Sequence, residues 1–332
     1  MGAMKTNKIR KALIMISILL LVVVLIYSGL RLMESTVARQ ETGVTQEVKK
    51  RKTIVRNNVE YYPRLNVTII MVAGIDETGP MTDSESYNNS GEADMVSLLI
   101  INKKTQQVDV ISLNRDSMVN IPVLGLNGKP AGTIKGQLAL AHTYGSGLED
   151  SSKNLRTAVS DFLYGIDIDY YVTMNMDAIA LLNDAVGGVT VNVTDDFSAV
   201  DPSIPMGEVT LTGEQAISFV RSRNGVGDQM NLTRMERQKE YMDSFLQTLI
   251  KKLEADTRFV SNVYQEVSPY VVTDCSTRSL ANLLDMICDY QIGDIVTIDG
   301  ENVKGKEFME FHVDSDALDK VVLEFLYEPK KD

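Results

Sequence analysis

The sequence predicts an α/β domain of the αβα sandwich type: one central mixed sheet with helices on both faces, preceded by a single transmembrane helix. Three observations carry this. Residues 67–73, 95–101 and 108–113 are short apolar runs with the length of buried strands. From residue 153 onward helical and strand patterns alternate, the order that lays helices over a sheet. Residues 12–30, ALIMISILLLVVVLIYSGL, contain no charge.

At about 1.5 Å per residue that last run reaches roughly 28 Å, enough for a bilayer core. No convincing small-residue cleavage site follows it, which favours a retained anchor over a removed signal peptide. Lys5, Lys8, Arg10 and Lys11 precede it and only Arg31 follows closely. That bias places residues 1–11 in the cytoplasm and everything after the anchor outside the cell membrane. Residues 31–65 are polar and read as an extracellular stalk. Residues 66–254 form the main domain, and 255–332 an extension packed on it.

The formal charge is −12. Of 33 Lys and Arg, five lie in the first 33 residues, which hold no acid; the remainder is 28 basic against 45 acidic, or −17. So acidic an exterior argues against a nucleic-acid partner. Cys275 and Cys288 invite a disulfide in an exported domain. A helix through residues 283–290 would hold them about 16 Å apart, beyond the reach of a bridge, so two free, buried thiols are expected.

Taken in order, residue 67 opens the first strand, bounded by Gly74. The next two runs flank Asn102-Lys103-Lys104-Thr105 as a hairpin. Asp94 precedes the first hairpin strand and Arg115-Asp116 follows the second, so an antiparallel pair brings them to one edge. A strand from Val67 running parallel to the one from Val108 delivers Asp76 there too. A metal or anion site and a structural Asp–Arg pair both fit that cluster. Residues 77–92 read as a loop over the same edge, able to act as a lid. Residues 135–147 suggest a short helix, 153–163 and 177–186 longer ones, and 169–175 and 189–193 strands.

Residues 211–245 hold two helix starts with an arginine-rich loop between them. Thr212 with Gln215, and Thr233 with Glu236, fit capping boxes. Arg234, Arg237 and Gln238 then fall early in the second helix, where the dipole disfavours cations. An anion held by backbone N–H groups and guanidinium forks would reconcile them, with Arg221 and Arg223 just upstream. The plain alternative is a solvated basic loop. Beyond it Met235, Met242, Phe245, Leu249 and Leu253 make a packing stripe. Candidate helices near 280–290 and 316–326, with strands near 296 and 308–313, complete the chain.

His142 and His312 are the only histidines, too few for a histidine zinc site or triad, and His142 reads as a packing residue. No phosphate-loop or dinucleotide pattern appears. What remains is a carboxylate pair with an arginine set. That combination suits a hard cation such as Mg²⁺ shared with phosphate oxygens, the arginines neutralising the rest.

Several pieces taken together resemble the LytR–CpsA–Psr family of envelope glycopolymer phosphotransferases. They are GID at 74–76, AD at 93–94, RDS at 115–117, IDIDYYVTMNMDAI from Ile166, LLNDAVGGVTVNV from Leu181, and GEQAISFVRSRN followed by NLTRMERQ. The resemblance runs from about Val67 to Phe245. It implies Asp76 and Asp94 as ligands of Mg²⁺ (or Mn²⁺), and Arg115, Arg221, Arg223, Arg234 and Gln238 as the grip on a lipid pyrophosphate, with Lys135 a further match. It also implies transfer of a glycan phosphate from a polyprenyl-pyrophosphate carrier to peptidoglycan in a Gram-positive envelope. Asp116 would pair with an arginine or activate the acceptor. Two departures stand out. Glu92-Ala93-Asp94-Met95 replaces a frequent Arg-Ser-Asp-Thr run, and Thr133-Ile134-Lys135-Gly136 a common Asp-Lys-Ile-Asn. A lipid pyrophosphatase and a non-catalytic lipid-binding scaffold remain alternatives.

Overall fold

The computed structural model describes residues 53–330 except 85–90, 126–127, 223, 228–230, 256–258, 260–262, 264–265, 277–278, 280–282, 284–289 and 307. The expected membrane anchor, Arg223 and Cys288 therefore lie outside the described residues.

The first strands are β1 (Ile54–Arg56), β2 (Val59–Pro63), β3 (Val67–Ile75), β4 (Ala93–Asn102) and β5 (Gln107–Leu113). The hairpins and helix that follow are β6 (Met118–Leu124), β7 (Pro130–Gln137) and α1 (Glu149–Phe162). Then come β8 (Tyr170–Asn175), α2 (Met176–Val186), β9 (Val189–Val193), β10 (Gly207–Leu211), α3 (Gly213–Arg221) and α4 (Asn231–Ala255). The chain closes with β11 (Val271–Thr273), β12 (Gln291–Thr297), β13 (Gly300–Lys304), β14 (Met309–Val313), α5 (Ser315–Phe325) and β15 (Tyr327–Pro329).

Six strands form the central sheet in the order β11-β8-β3-β4-β5-β12. β3 and β5 each run antiparallel to β4, and hence parallel to one another, while β8 runs parallel to β3 and β12 to β5. The sheet is mixed, as expected. Its middle strands are mostly apolar on both sides because both faces are covered. Ile70 and Val72 pack with α2, α3 and α4 through Leu182, Phe219 and Phe245; Ile69, Met71 and Ala73 pack with α1 and α5 through Leu155, Val159 and Val322. That period of two, with a core on each side, makes the sandwich.

Local signals explain several joints. Thr212 caps α3 as predicted: its hydroxyl accepts from the Gln215 N–H, and the Thr212 N–H donates to Gln215 Oε1 at 2.9 Å. Gly187 ends α2 at φ 93°, the left-handed region where a side chain is disfavoured.

Other expectations need correction. The region read as a helix from Lys135 begins as β7, paired with β6, and only Leu138–Ala141 turn helically, as a 3₁₀ segment. Thr233, predicted to open the second helix in a box with Glu236, is not at its start: α4 already runs at Asn231 and Thr233 sits inside its first turn. Arg234, Arg237, Tyr241 and Phe245 share the buried face of α4. The outer end of the expected stalk is folded: β1 and β2 form a small sheet with β15. Cys275 is buried and free, as expected.

Candidate active site

Strand direction assembles the site. Asp76 follows β3, Asp94 lies near the start of β4, and Arg115-Asp116 follows β5, so all four reach one edge of the sheet. A bulge refines this. Gly74 pairs with Met95 and Ile75 with Ala93, which leaves Asp94 as the extra residue on β4. Bulges bend a strand and re-aim its side chains. Here Asp94 is turned toward the helices, buried and facing two arginines.

The Asp94 carboxylate takes an ion pair from Arg115 on one oxygen and from Arg234, at 3.1 Å, on the other. Arg234 is 4% exposed and Asp94 8%, so this is a buried charge cluster. Arg115 also reaches Glu92, and its Nε lies 3.5 Å from Asp116 Oδ1. Asp116 in turn accepts from Gln137 Nε2 at 3.0 Å, which fits pairing rather than a free base. Arg221, at the end of α3, meets Asp76 at 2.8 Å in a more open setting, its side chain 48% exposed.

Three predicted residues behave differently. Arg237 is buried but committed elsewhere: Nη1 donates to Asp195 at 2.8 Å, Nε to the Phe219 carbonyl at 3.3 Å, and Nη2 to the Ser222 carbonyl. It ties α4 to the end of α3, which positions Arg221. Lys135 is exposed on β7 opposite Asn120, and the structure does not bring it to the cluster. Gln238 donates to the Val220 carbonyl at 3.0 Å and stands at the rim of the cavity described next.

A cavity of about 80 Å³ opens between the sheet and α2, α3 and α4. Its walls include Val72, Met174, Ile179, Leu182, Tyr241 and Phe245, and its mouth carries Asp94, Arg221 and Gln238. A smaller recess of about 10 Å³ adjoins it at Asp94, Met95 and Gln238 and extends to Ser112 and Arg115. An apolar interior with a charged mouth suits an amphipathic ligand. Sequence reasoning assigned the α4 stripe to packing alone. The spacing of Gln238, Tyr241 and Phe245 on one helical face was the available signal.

The loop after Asp76 is fastened down. Asn175 Nδ2 donates to the Gly79 carbonyl and the Gly79 N–H to Asp177 Oδ2, both at 2.5 Å. The Gly91 N–H donates to Glu77 Oε1 at 2.5 Å, and the Gly91 carbonyl lies 2.9 Å from His142 Nδ1. A Cβ on Gly91 would come within 2.5 Å of Glu77 Cγ and 3.0 Å of the Asp76 carbonyl, so only glycine fits. His142 is the packing residue expected: burial pulls its pKa down to about 4, so it is neutral near pH 7. The middle of the expected lid, residues 85–90, lies outside the described residues.

As a metal site the edge offers oxygen ligands from two carboxylates, and among the described residues no group of three acidic, histidine or cysteine side chains converges. Two carboxylates fit a hard divalent cation that completes its shell from ligand phosphates and water. They match zinc poorly, since its sites are built mainly on histidine and cysteine with at most a supporting carboxylate.

A model of the LytR_cpsA_psr family matches residues 30–324. The chain belongs to that family. Among its relatives, a polyisoprenyl-teichoic acid–peptidoglycan teichoic acid transferase TagU from Enterococcus faecalis is 27% identical over 285 residues, spanning 84% of this chain and 82% of the relative. Solved structures share the fold. Protein gbs0355 from Streptococcus agalactiae aligns with a TM-score of 0.63 at 24% identity, over 78% of this chain and 86% of the other. TagT bound to LIIa-WTA aligns at 0.57 and 22% identity, over 78% and 89%.

Proposed function

We propose that this member of the LytR–CpsA–Psr family is a membrane-anchored phosphotransferase that moves a glycopolymer phosphate from a polyprenyl-pyrophosphate carrier to a peptidoglycan hydroxyl. The anchor is residues 12–30, with the amino terminus cytoplasmic and the sheet domain outside. One observation carries the reading. An apolar cavity opens onto a mouth of arginines and carboxylates, so one ligand must be greasy at one end and polyanionic next to it. A polyprenyl pyrophosphate has that build, and the family and the TagU relative point the same way.

In this reading the cavity takes the first isoprene units and Gln238 marks the boundary between lipid and phosphate. Arg115, Arg221 and Arg234 exchange their carboxylate partners for phosphate oxygens. They stabilise charge that builds on the leaving polyprenyl phosphate, Arg115 and Arg234 from positions largely shielded from water. Arg223 is assigned with them on the resemblance. Asp76 and Asp94, freed in that exchange, would hold Mg²⁺ or Mn²⁺, which when bound supplies Lewis-acid neutralisation of the pyrophosphate. Arg237 keeps α3 and α4 in register rather than touching substrate.

The test is product formation by the full chain in detergent, with a polyprenyl-pyrophosphoryl sugar, peptidoglycan fragments and Mg²⁺. Asp76→Asn and Arg221→Ala are the informative variants. Their ion pair is half exposed and worth less than about 1 kcal/mol, so both should fold while losing turnover at least a hundredfold. Phosphate-linked glycan on peptidoglycan supports transfer. Lipid cleavage with no acceptor product would make the protein a pyrophosphatase, and binding without turnover a scaffold.

A further inference from the structure

Glu92 has no part in that mechanism, yet it sits against its central arginine. Its carboxylate pairs with Arg115 while its side chain remains 44% exposed. Its position is fixed: the Glu92 carbonyl accepts from the Asp76 N–H at 2.8 Å, and Gly91 before it is held by Glu77 and His142. The apolar cavity reaches Asp94, Arg221 and Gln238, and the adjoining recess reaches Arg115, but neither reaches Glu92. Arg115 holds Asp94 by Nη1 and Glu92 by Nη2, so Glu92 stands across Arg115 from the carboxylate at the cavity mouth. A donor with its lipid in the cavity and its pyrophosphate across Arg221 and Arg115 would present its first sugar to Glu92.

We propose that Glu92 is a specificity residue that selects donors whose first sugar carries no negative charge. This rests on the donor reading above. Two effects act together. The carboxylate must leave Arg115 when pyrophosphate arrives, and it then stands free beside the sugar. There it adds to Glu77, which lies beside Gly91, on a rim that already belongs to an acidic protein. Like charges repel most where they are desolvated, so a half-exposed carboxylate gives a modest preference, about tenfold.

The experiment measures binding of three short-chain polyprenyl-pyrophosphoryl sugars to the full chain in nanodiscs with Mg²⁺. The sugars are N-acetylglucosamine, a hexuronic acid, and the methyl ester of the same hexuronic acid. Wild type should bind the acid about tenfold more weakly than its ester, while ester and N-acetylglucosamine bind alike. Glu92→Gln should tighten all three by freeing Arg115 and narrow the gap. Glu92→Arg should abolish or reverse it. Equal binding of acid and ester by wild type, or a gap that survives in Glu92→Arg, overturns the proposal. Failure of wild type to bind any of the three instead overturns the donor reading itself.

Discussion

Replacing Asp94 by alanine tests whether the arginines form a built anion site. The Asp94 carboxylate is shared by Arg115 and Arg234, whose side chains are 14% and 5% exposed. Removing one partner from a buried pair typically costs 3–5 kcal/mol, because the remaining charge stays desolvated. Arg115 keeps Glu92 and Asp116, so the lower figure, about 3 kcal/mol, applies. For a domain of this size each kcal/mol lowers Tm by about 2–4 °C, giving a drop of about 6–12 °C. The same deletion leaves positive charge that an anion can satisfy. Inorganic pyrophosphate at about a hundred times its Kd returns about 2.7 kcal/mol. Scanning calorimetry without divalent metal should therefore show a lower Tm for Asp94→Ala and a larger pyrophosphate-induced rise than in wild type. A variant with an unchanged Tm, or one no more responsive to pyrophosphate, would refute the reasoning.

Two other perturbations probe different parts of the molecule. His142 has a folded pKa near 4 against an ordinary 6.5, so below pH 6.5 the unfolded chain binds a proton that the folded one refuses. Stability should be level above pH 6.5 and fall by up to about 3 kcal/mol toward pH 4; urea titrations across that range should show the slope in wild type and not in His142→Gln. Within the cavity, Leu182→Gln places an amide among apolar walls. It should weaken binding of a long-chain polyprenyl pyrophosphate about tenfold while leaving inorganic pyrophosphate unaffected, as titration calorimetry with both ligands would reveal.

Much of the site was legible because strand ends can be read from apolar runs. Three runs and one tight hairpin were enough to bring Asp76, Asp94 and Arg115 to one edge, and the Thr212 box located the start of α3, the helix whose last residue is Arg221. The Asp94 bulge was not legible, since a bulge is a property of the register between two strands and neither strand marks it alone. Arg237 was grouped with Arg234 because both fall early in the second helix, where the dipole disfavours cations. Their partners differ, however, and only the tertiary fold supplies Asp195 and the end of α3 to one of them. β7 was misread because Gly132 and Gly136 and one lysine give no clear alternation, while the LALA segment beside it does turn helically. Glu92 was noticed only as a departure from the family pattern. Its ion pair with Arg115 depends on the same bulged edge.

The order of the sheet bears on how the protein is made. β3, β4, β5 and β8, which carry or flank the site, are complete by residue 175, yet the strands that cover β8 and β5 begin only at residues 271 and 291. Until those arrive, the nascent domain has two open edges of unpaired backbone groups, each a template for pairing with another chain. The pairing of β12 with β5 is also the most distant in sequence within this sheet, and therefore among the slowest to form. A chain cut short before residue 271 would retain every arginine and carboxylate of the site and still lack both borders of the sheet that holds them.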